Sequence, residues 1–258
     1  MFKFKIIFLI LLFLSLVKFS YAEEKLTATL FNDTGSISLL RCGQSNPVVI
    51  AAGASDTVGT GDIIETGDKS KAHLQFSDGS RIDLQSNTKF EIKTLIKDEA
   101  GSRSIFKLFI GTISVFVNKL TGKDDAFEIE TPNSVGSVRG TKFQTSVYVD
   151  DKYEDNEGKD TTPTPDSSGQ DDKGKKDKYV SVLSVEEGEV ELSSADRQKI
   201  LGMVRSGTSV FVTPDMGFYQ INEYINLLEY TPEQLKDRTR REIKNYLYKK
   251  IPVPNLPW

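Results

Sequence analysis

Short runs of alternating apolar and polar residues dominate the chain between residues 48 and 213. In one of them, Ala72, Leu74 and Phe76 alternate with polar neighbours, so a strand would place all three apolar side chains on one face. Turn residues such as Asp78-Gly79 separate the runs about every 8 to 12 residues. The pattern therefore predicts an all-β fold of short strands, as a sandwich, a barrel or a solenoid.

The hydrophobic period changes after residue 213. Apolar residues then recur at i, i+3, i+4 and i+7, which predicts a helical stripe. The four positions are Ile221, Tyr224, Ile225 and Leu228. Thr231-Pro232-Glu233-Gln234 is a capping box with proline at the first helical position, which predicts a second helix that ends near Tyr248. Three prolines among the last eight residues predict an extended tail.

The second predicted helix is strongly basic. Its positive residues are Lys236, Arg238, Arg240, Arg241, Lys244, Lys249 and Lys250. Three uses of this charge stay open. The helix could present a solvated face above a narrow apolar stripe packed on the β domain, contact anionic lipid headgroups or an acidic partner, or bind the acid-rich body of its own chain.

Residues 1–22 have the pattern of a signal peptide. Lys3 and Lys5 precede a 12-residue apolar stretch, and Ser20 and Ala22 suit cleavage after Ala22. The stretch is shorter than the ~20 residues that a spanning helix needs, which makes a retained membrane anchor the less favoured alternative. We expect an exported protein that is periplasmic or otherwise associated with the cell envelope, with surface exposure or secretion as alternatives.

The stretch 150–178 differs in composition from its surroundings. It is rich in Asp, Glu, Lys, Gly, Ser, Thr and Pro and contains almost no apolar residue. Such a segment cannot bury enough apolar surface to offset the entropy lost on ordering. We expect a disordered insertion between two paired strands, with a partner-binding or metal-gathering loop as the alternative.

Composition excludes several kinds of chemistry. With one cysteine, Cys42, the 258-residue chain cannot form an internal disulfide or a Cys/His zinc cage, which needs about four ligands. We expect the Cys42 thiol to be buried. The single histidine, His73, falls on the polar face of its strand, where a solvated role is expected. A net charge of −4 argues against nucleic acid as a partner.

Motifs of catalysis are missing from the sequence as well. It contains neither a Gly-x-Ser-x-Gly nucleophile elbow nor a phosphate-cradling glycine loop. Paired carboxylates occur only as neighbours along the chain, such as Asp124-Asp125. We therefore expect no enzymatic activity, no cofactor and no metal.

Six blocks resemble, in order, the FecR domain family. They are Val58 to Gly67, Leu74 to Leu84, Leu108 to Val115, Thr131 to Phe143, Val182 to Val190, and Val204 to Val210. Each block is weak by itself, and the resemblance as a whole covers roughly residues 48 to 213. The resemblance implies a compact, twisted β-solenoid or sandwich of short strands, with a Gly-centred pair of strands in its middle.

The resemblance further implies that, in founding members of the family, this domain is the periplasmic half of a membrane-spanning regulator. It relays the state of an outer-membrane receptor to a cytoplasmic sigma factor. Here the 22 leader residues leave no room for the cytoplasmic anti-sigma segment. The resemblance therefore implies a FecR-like domain in this chain, but it does not imply the sigma-factor role.

We expect structural roles at the motif positions. These are Gly61, Asp62, Thr66, Gly67, Asp78, Gly79, Ser80, Gly111, Thr131, Pro132, Arg139, Gly140, Thr141, Phe143, Gly188 and Gly207. Gly140 would permit a tight turn, and Arg139 would bond carboxylates or carbonyls across neighbouring segments. Asp62 and Asp78 would close turns through bonds to the backbone, with calcium binding as the alternative.

The sequence thus divides into four parts: a signal peptide 1–22, a lead-in strand region 23–47, a FecR-like β domain 48–213 that contains the insertion, and a helical C-terminal extension with a Pro-rich tail 214–258. The expected function is a non-catalytic sensing, scaffold or protein-interaction module that binds a protein partner in the envelope. One alternative is a surface ligand-binder or adhesin for polysaccharide or host matrix. An envelope-glycan enzyme would require two carboxylates facing across a cleft.

Overall fold

The computed structural model describes residues 26–97, 101–120, 122, 124–151, 178–215 and 217–250, with side chains of the C-terminal helix up to residue 247. The predicted leader, most of the predicted insertion and the Pro-rich tail lie outside these residues. Within them the chain is mostly strands followed by one α-helix, which confirms the predicted fold class. No helix in the described ranges has both the length and the apolar character needed to cross a membrane.

The strands are short and follow one another closely. They are β1 (Ala28–Thr34), β2 (Ile37–Leu40), β3 (Val48–Ile50), β4 (Ser55–Val58), β5 (Ile63–Thr66), β6 (Lys71–Phe76), β7 (Arg81–Leu84), β8 (Lys89–Lys97), β9 (Ser102–Phe116), β10 (Ala126–Glu130), β11 (Ser134–Val138), β12 (Lys142–Val149), β13 (Tyr179–Glu187), β14 (Glu189–Ser194), β15 (Ile200–Arg205), β16 (Thr208–Val212) and β17 (Phe218–Ile221). A 3-10 turn, Leu227–Glu229, and helix α1, Pro232–Lys250, complete the chain.

The strands form two open sheets that share β9. The first sheet has the order β4-β1-β6-β7-β9-β12-β13-β16-β17. The second has the order β3-β2-β5-β8-β9-β10-β11-β14-β15. Neighbours are antiparallel except for β9 and β10. The chain passes back and forth between the sheets, so that neither sheet forms before most of the chain is present.

The main core lies between the two sheets. Inward side chains of both sheets join one apolar cluster, and the alternation predicted for β6 places its apolar residues in this cluster. Phe106 lies near the centre, with its ring centroid 5.4 Å from that of Phe76, 5.5 Å from Phe90 and 5.2 Å from Phe127. Full burial of each such ring contributes about 2 to 3 kcal/mol, and the contacts between the rings add to it.

A second, smaller core lies on the outer face of the first sheet, under the C-terminal extension. Val182 and Phe211 point outward from β13 and β16 and pack against Leu227 and Leu235. The ring of Tyr246 on α1 meets Tyr219 edge-on, with the ring centroids 5.5 Å apart. The extension therefore covers one half of the first sheet, and β12 and β13 are buried on both faces.

The capping box of α1 is confirmed, whereas the predicted helical stripe before it is wrong. The Thr231 N–H donates to Gln234 Oε1 at 2.9 Å, and the Gln234 N–H donates back to Thr231 Oγ1 at 3.3 Å. Ile221 instead ends β17, where it pairs with Ser209 of β16. Over only eight residues, a spacing of 3 and 4 fits a strand followed by a turn as well as it fits a helix.

Strand β9 belongs to both sheets, and Gly111 lies where it passes from one to the other. Residues before Gly111 pair with β8, and those from Gly111 onward pair with β12. Its φ is +106°, and a Cβ at this position would lie 2.5 Å from Thr88 Cα. The sequence predicted a strand pair around this glycine. The structure has one continuous strand, because glycine permits the bend without a break.

We expect Gly111→Ala to lower the free energy of unfolding by about 3 kcal/mol or more, because it adds a positive-φ penalty to a clash with the Thr88 backbone. Gly53→Ala is the matched control, since Gly53 has a φ of +79° and no atom lies within 4 Å of the position that a Cβ would take there. That change should cost about 1 kcal/mol. Urea unfolding measures both, and equal losses would contradict the role of Gly111.

Candidate functional site in the extension groove

Two motif aspartates hold turns at the ends of the sandwich. Asp62 is 5% exposed, and its carboxylate accepts hydrogen bonds from the Gly59 N–H at 3.0 Å and the Cys42 N–H at 2.9 Å. Arg41 donates to the same carboxylate at 3.0 Å. Asp78 accepts from the Ser80 N–H at 2.8 Å in the β6–β7 hairpin. Backbone donors thus occupy both carboxylates.

Motif hydroxyl groups connect neighbouring turns in the same way. Thr66 Oγ1 donates to the Gln85 carbonyl at 2.6 Å, and Ser80 Oγ accepts from the Asn118 N–H at 3.0 Å. Thr141 Oγ1 donates to the Glu189 carbonyl at 3.0 Å. Thr131 Oγ1 accepts from the Ser134 N–H at 3.0 Å, in the turn that also holds Pro132. Three of these bonds join turns that are 19 to 48 residues apart in sequence, and the fourth closes the β10–β11 turn; they form no common cleft.

The remaining motif residues lie in turns and in the core. Phe143 is fully buried, and the Gly67 N–H donates to the Ser36 carbonyl at 2.9 Å. Five motif glycines have φ between +78° and +88°: Gly61, Gly79, Gly140, Gly188 and Gly207. Arg139 is exposed at the end of β11. Its charge helps to lower the pKa of Asp125, after the hydrogen bond from the Ser102 backbone.

The outer face of the second sheet carries a network of ion pairs. Arg197, from the turn between β14 and β15, donates to Glu128 at 2.6 Å and to Glu130 at 2.7 Å. Lys93 pairs with Glu130 at 2.6 Å. Burial alone would raise the pKa of Glu130, but hydrogen bonds from Lys93 and Arg197 outweigh it and lower the pKa. A general acid that works near neutral pH requires a raised carboxyl pKa, whereas the pKa of Glu130 is lowered.

The single histidine and the single cysteine take part in no nucleophilic arrangement. The His73 ring stacks on Phe31 with centroids 4.7 Å apart, and its Nδ1 lies 2.8 Å from a carboxylate oxygen of Asp33. Neither neighbour is a nucleophile that it could activate. Cys42 is exposed in the turn after β2, so the expectation of a buried thiol is wrong. Among the described residues, no group of three or more His, Cys, Asp or Glu could hold a metal ion.

A groove with a volume of about 600 Å³ opens between the sandwich and the C-terminal extension. We call it the extension groove. One wall is β9 at Ile110, beside the bend, and the extension forms the other wall with Leu228, Tyr230 and Glu233. Its size lies within the range of ligand sites, which occur preferentially where two structural units meet. It is the candidate functional site, and the bend at Gly111 sets one side of it.

Three polar residues in register across β12, β13 and β16 hold the extension in place. Gln144 Oε1 accepts from the Leu227 N–H at 2.6 Å. The Ile225 N–H lies 2.9 Å from Ser184 Oγ and 3.0 Å from Ser209 Oγ. All three side chains are at most 5% exposed. Sequence reasoning missed them, and the available signal was a polar residue two positions from an outward apolar residue, as Ser184 is from Val182 and Ser209 from Phe211.

Asn133 is another residue that sequence reasoning missed. It lies in the β10–β11 hairpin of the second sheet and is 4% exposed. Its Nδ2 donates to the Tyr179 carbonyl at 3.0 Å and to the Val212 carbonyl at 2.7 Å, both on strands of the first sheet. One amide therefore joins the two sheets beside the Thr131-Pro132 motif.

The basic helix binds acidic groups of its own chain, which is one of the three uses left open by the sequence. Arg240 donates through Nε to Asp150 at 3.1 Å and through Nη2 to its other oxygen. The Asp150 side chain is 3% exposed, and its N–H donates to the Lys178 carbonyl at 2.8 Å. Lys236 lies 3.5 Å from Asp151. The helix therefore binds Asp150 and Asp151, the first two residues of the predicted insertion.

Comparisons with known proteins agree with the residue-level resemblance. Residues 62–161 match a family model described as FecR protein. No curated protein sequence matches the chain. Two crystal structures of provisionally named anti-sigma factors from Parabacteroides distasonis ATCC 8503 are similar. The 2.50 Å structure has 14% identity, 64% coverage of this chain, 62% of that chain and a TM-score of 0.44. This chain therefore spans under two thirds of that structure. The 1.65 Å structure has 13% identity, 70% and 74% coverage and a TM-score of 0.46.

We expect Arg240→Ala to destabilise the extension, because it leaves the buried Asp150 carboxylate without its guanidinium partner. The cost should be about 1 to 3 kcal/mol, at the low end because Arg240 itself is 41% exposed. Hydrogen exchange of the α1 amides should become faster while exchange in the main core stays unchanged. Arg241→Ala, on the exposed face of the same helix, is the control. Equal protection in both variants would contradict the anchoring role.

Proposed function

This chain carries a FecR domain, and we propose from that premise that it is a non-catalytic binding module of the cell envelope that acts in sensing or as a scaffold. The family match supports a signalling or regulatory role that depends on contact between proteins. The observation that carries the proposal is the extension groove, an open site at the junction of the domain and its C-terminal extension.

The motif residues support the same proposal, because their side chains act within the fold. Asp62, Ser80 and Thr141 bond to backbone groups of neighbouring turns. A fold with stable turns and a rigid groove suits binding, since a preorganised surface loses little conformational entropy when a partner docks.

Photo-crosslinking tests the proposed contact. A photoreactive residue at Leu228, which is 42% exposed in the groove, should capture a protein from the envelope of living cells. The same residue at Ile200, 67% exposed at the edge of the second sheet, should capture none. The captured protein, once purified, should bind the wild type about tenfold more tightly than Leu228→Asp, and Ile200→Asp should bind like the wild type. Equal capture at both positions would contradict the assignment of the groove.

We propose that the protein is exported and functions in the periplasm or at the cell envelope. The support is the leader pattern of residues 1–22 in the sequence. N-terminal sequencing of protein from fractionated cells should give a chain that begins at Glu23, in an envelope or periplasmic fraction. An intact Met1 in the cytoplasmic fraction would refute the export proposal and leave the fold unaffected.

We further propose that a protein, and not a lipid surface, is the principal partner. The sequence of α1 also suggested peripheral membrane contact. Lys236, Arg238 and Arg240, however, form ion pairs with Asp151, Glu223 and Asp150. Charge used within the chain contributes little to the attraction of anionic headgroups, which grows with each unpaired basic residue near the surface.

A further inference from the structure

We infer that the extension groove receives an extended peptide segment of the partner, in which a lysine or arginine lies beside an apolar side chain. This inference rests on the proposed function and specifies the chemistry of the segment that binds. It combines three properties of the groove: exposed apolar side chains on facing walls, an excess of carboxylates, and a floor of small residues.

The apolar component lies on both walls. Ile110 on β9 is 39% exposed, and Leu228 on the extension is 42% exposed. Tyr230 and Pro232 continue the apolar surface on the side of the extension. Apolar side chains that face each other across a groove favour an occupant that removes both from water at once. One apolar side chain of a bound segment would do this.

The charged component is negative. Asp68, Asp151 and Glu233 line the groove with one cation, Lys236. The Lys236 ammonium lies 3.5 Å from both Asp151 and Glu233, and its side chain is 13% exposed. One ammonium cannot balance three carboxylates, so the groove attracts a further positive charge.

An organic cation fits these carboxylates better than a metal ion. Within the described residues no group of three or more possible ligands is close enough to hold a metal. The Asp151 and Glu233 side chains are 70% and 79% exposed, so they lie at the rim. A lysine or arginine side chain needs only one or two carboxylates and reaches the rim on a long apolar stem.

The floor favours an extended segment over a helix. It contains Thr112 and Ser146, which are small and allow a main chain to approach closely. The hydroxyl groups of Thr112 and Ser146 lie 2.9 Å apart and bond to each other, and each oxygen keeps capacity for a further hydrogen bond. A docked helix would instead require a broad apolar groove for anchors at i, i+3, i+4 and i+7.

A displayed library of random hexapeptides, selected on the full-length protein, tests the inference. Peptides with Lys or Arg beside an apolar residue should be enriched, and the preference for the apolar residue should disappear when Leu228→Asn, which removes the apolar side chain without adding charge, is the target. Enrichment of acidic or purely polar peptides, or no enrichment at all, would overturn the inference. It would leave the proposed function intact as long as crosslinking from residue 228 captures a protein.

Fluorescence anisotropy with a selected peptide then tests the role of charge. Asp68→Asn and Glu233→Gln should each weaken binding about two- to fivefold, because exposed charges contribute modestly. Glu191→Gln, at an exposed acid on the second sheet, should have no effect. A peptide with Glu in place of its basic residue should lose most of its affinity. Unchanged binding by the Asp68→Asn/Glu233→Gln double variant, with an unchanged melting temperature, would refute the electrostatic part of the inference.

Discussion

The sharing of β9 between two sheets is the constraint on which the rest of this fold depends. A strand that must pair with β8 along its first half and with β12 along its second half has to bend without losing its ladder. Gly111 allows the bend, and Thr88 fills the space that a side chain would take. Because β9 is hydrogen-bonded in both sheets, it fixes their relative position, and the main core, the Asn133 connection and the extension groove all depend on that position.

The outer face of the second sheet and the outer face of the covered half of the first sheet differ in their side chains and in what they contact. The outer face of the second sheet meets water, and its charged residues pair with one another across strands, as Arg197 does with Glu128. The covered half of the first sheet also carries apolar side chains on its outer face, so that face must be shielded by another element. The 3-10 turn and α1 provide that shield. The groove results from the way the extension covers the sheet. The extension crosses the sheet beside the bend of β9 and does not fill the space between itself and β9.

Local signals in the sequence were sufficient for the strands, the Asp78-Gly79 hairpin and the capping box at Thr231, because each depends on neighbours along the chain. The continuity of β9 was not visible, since a glycine inside an apolar run indicates a break and a bend equally well. Cys42 was assigned to the interior from residue type, whereas its position in a turn bound to Asp62 exposes it. Gln144, Ser184 and Ser209 could not be identified either, because their partners lie up to 83 residues away.

The anchoring of the extension has a consequence for synthesis. The Leu227–Gln144 bond spans 83 residues and the Arg240–Asp150 pair spans 90, and both need the last part of the chain. A ribosome releases β13 and β16 before α1, so the outward apolar side chains of these strands, such as Val182 and Phe211, stay uncovered until α1 has been synthesised. During that interval the exposed apolar surface is open to aggregation, and the extension groove forms only after α1 has docked on the sheet.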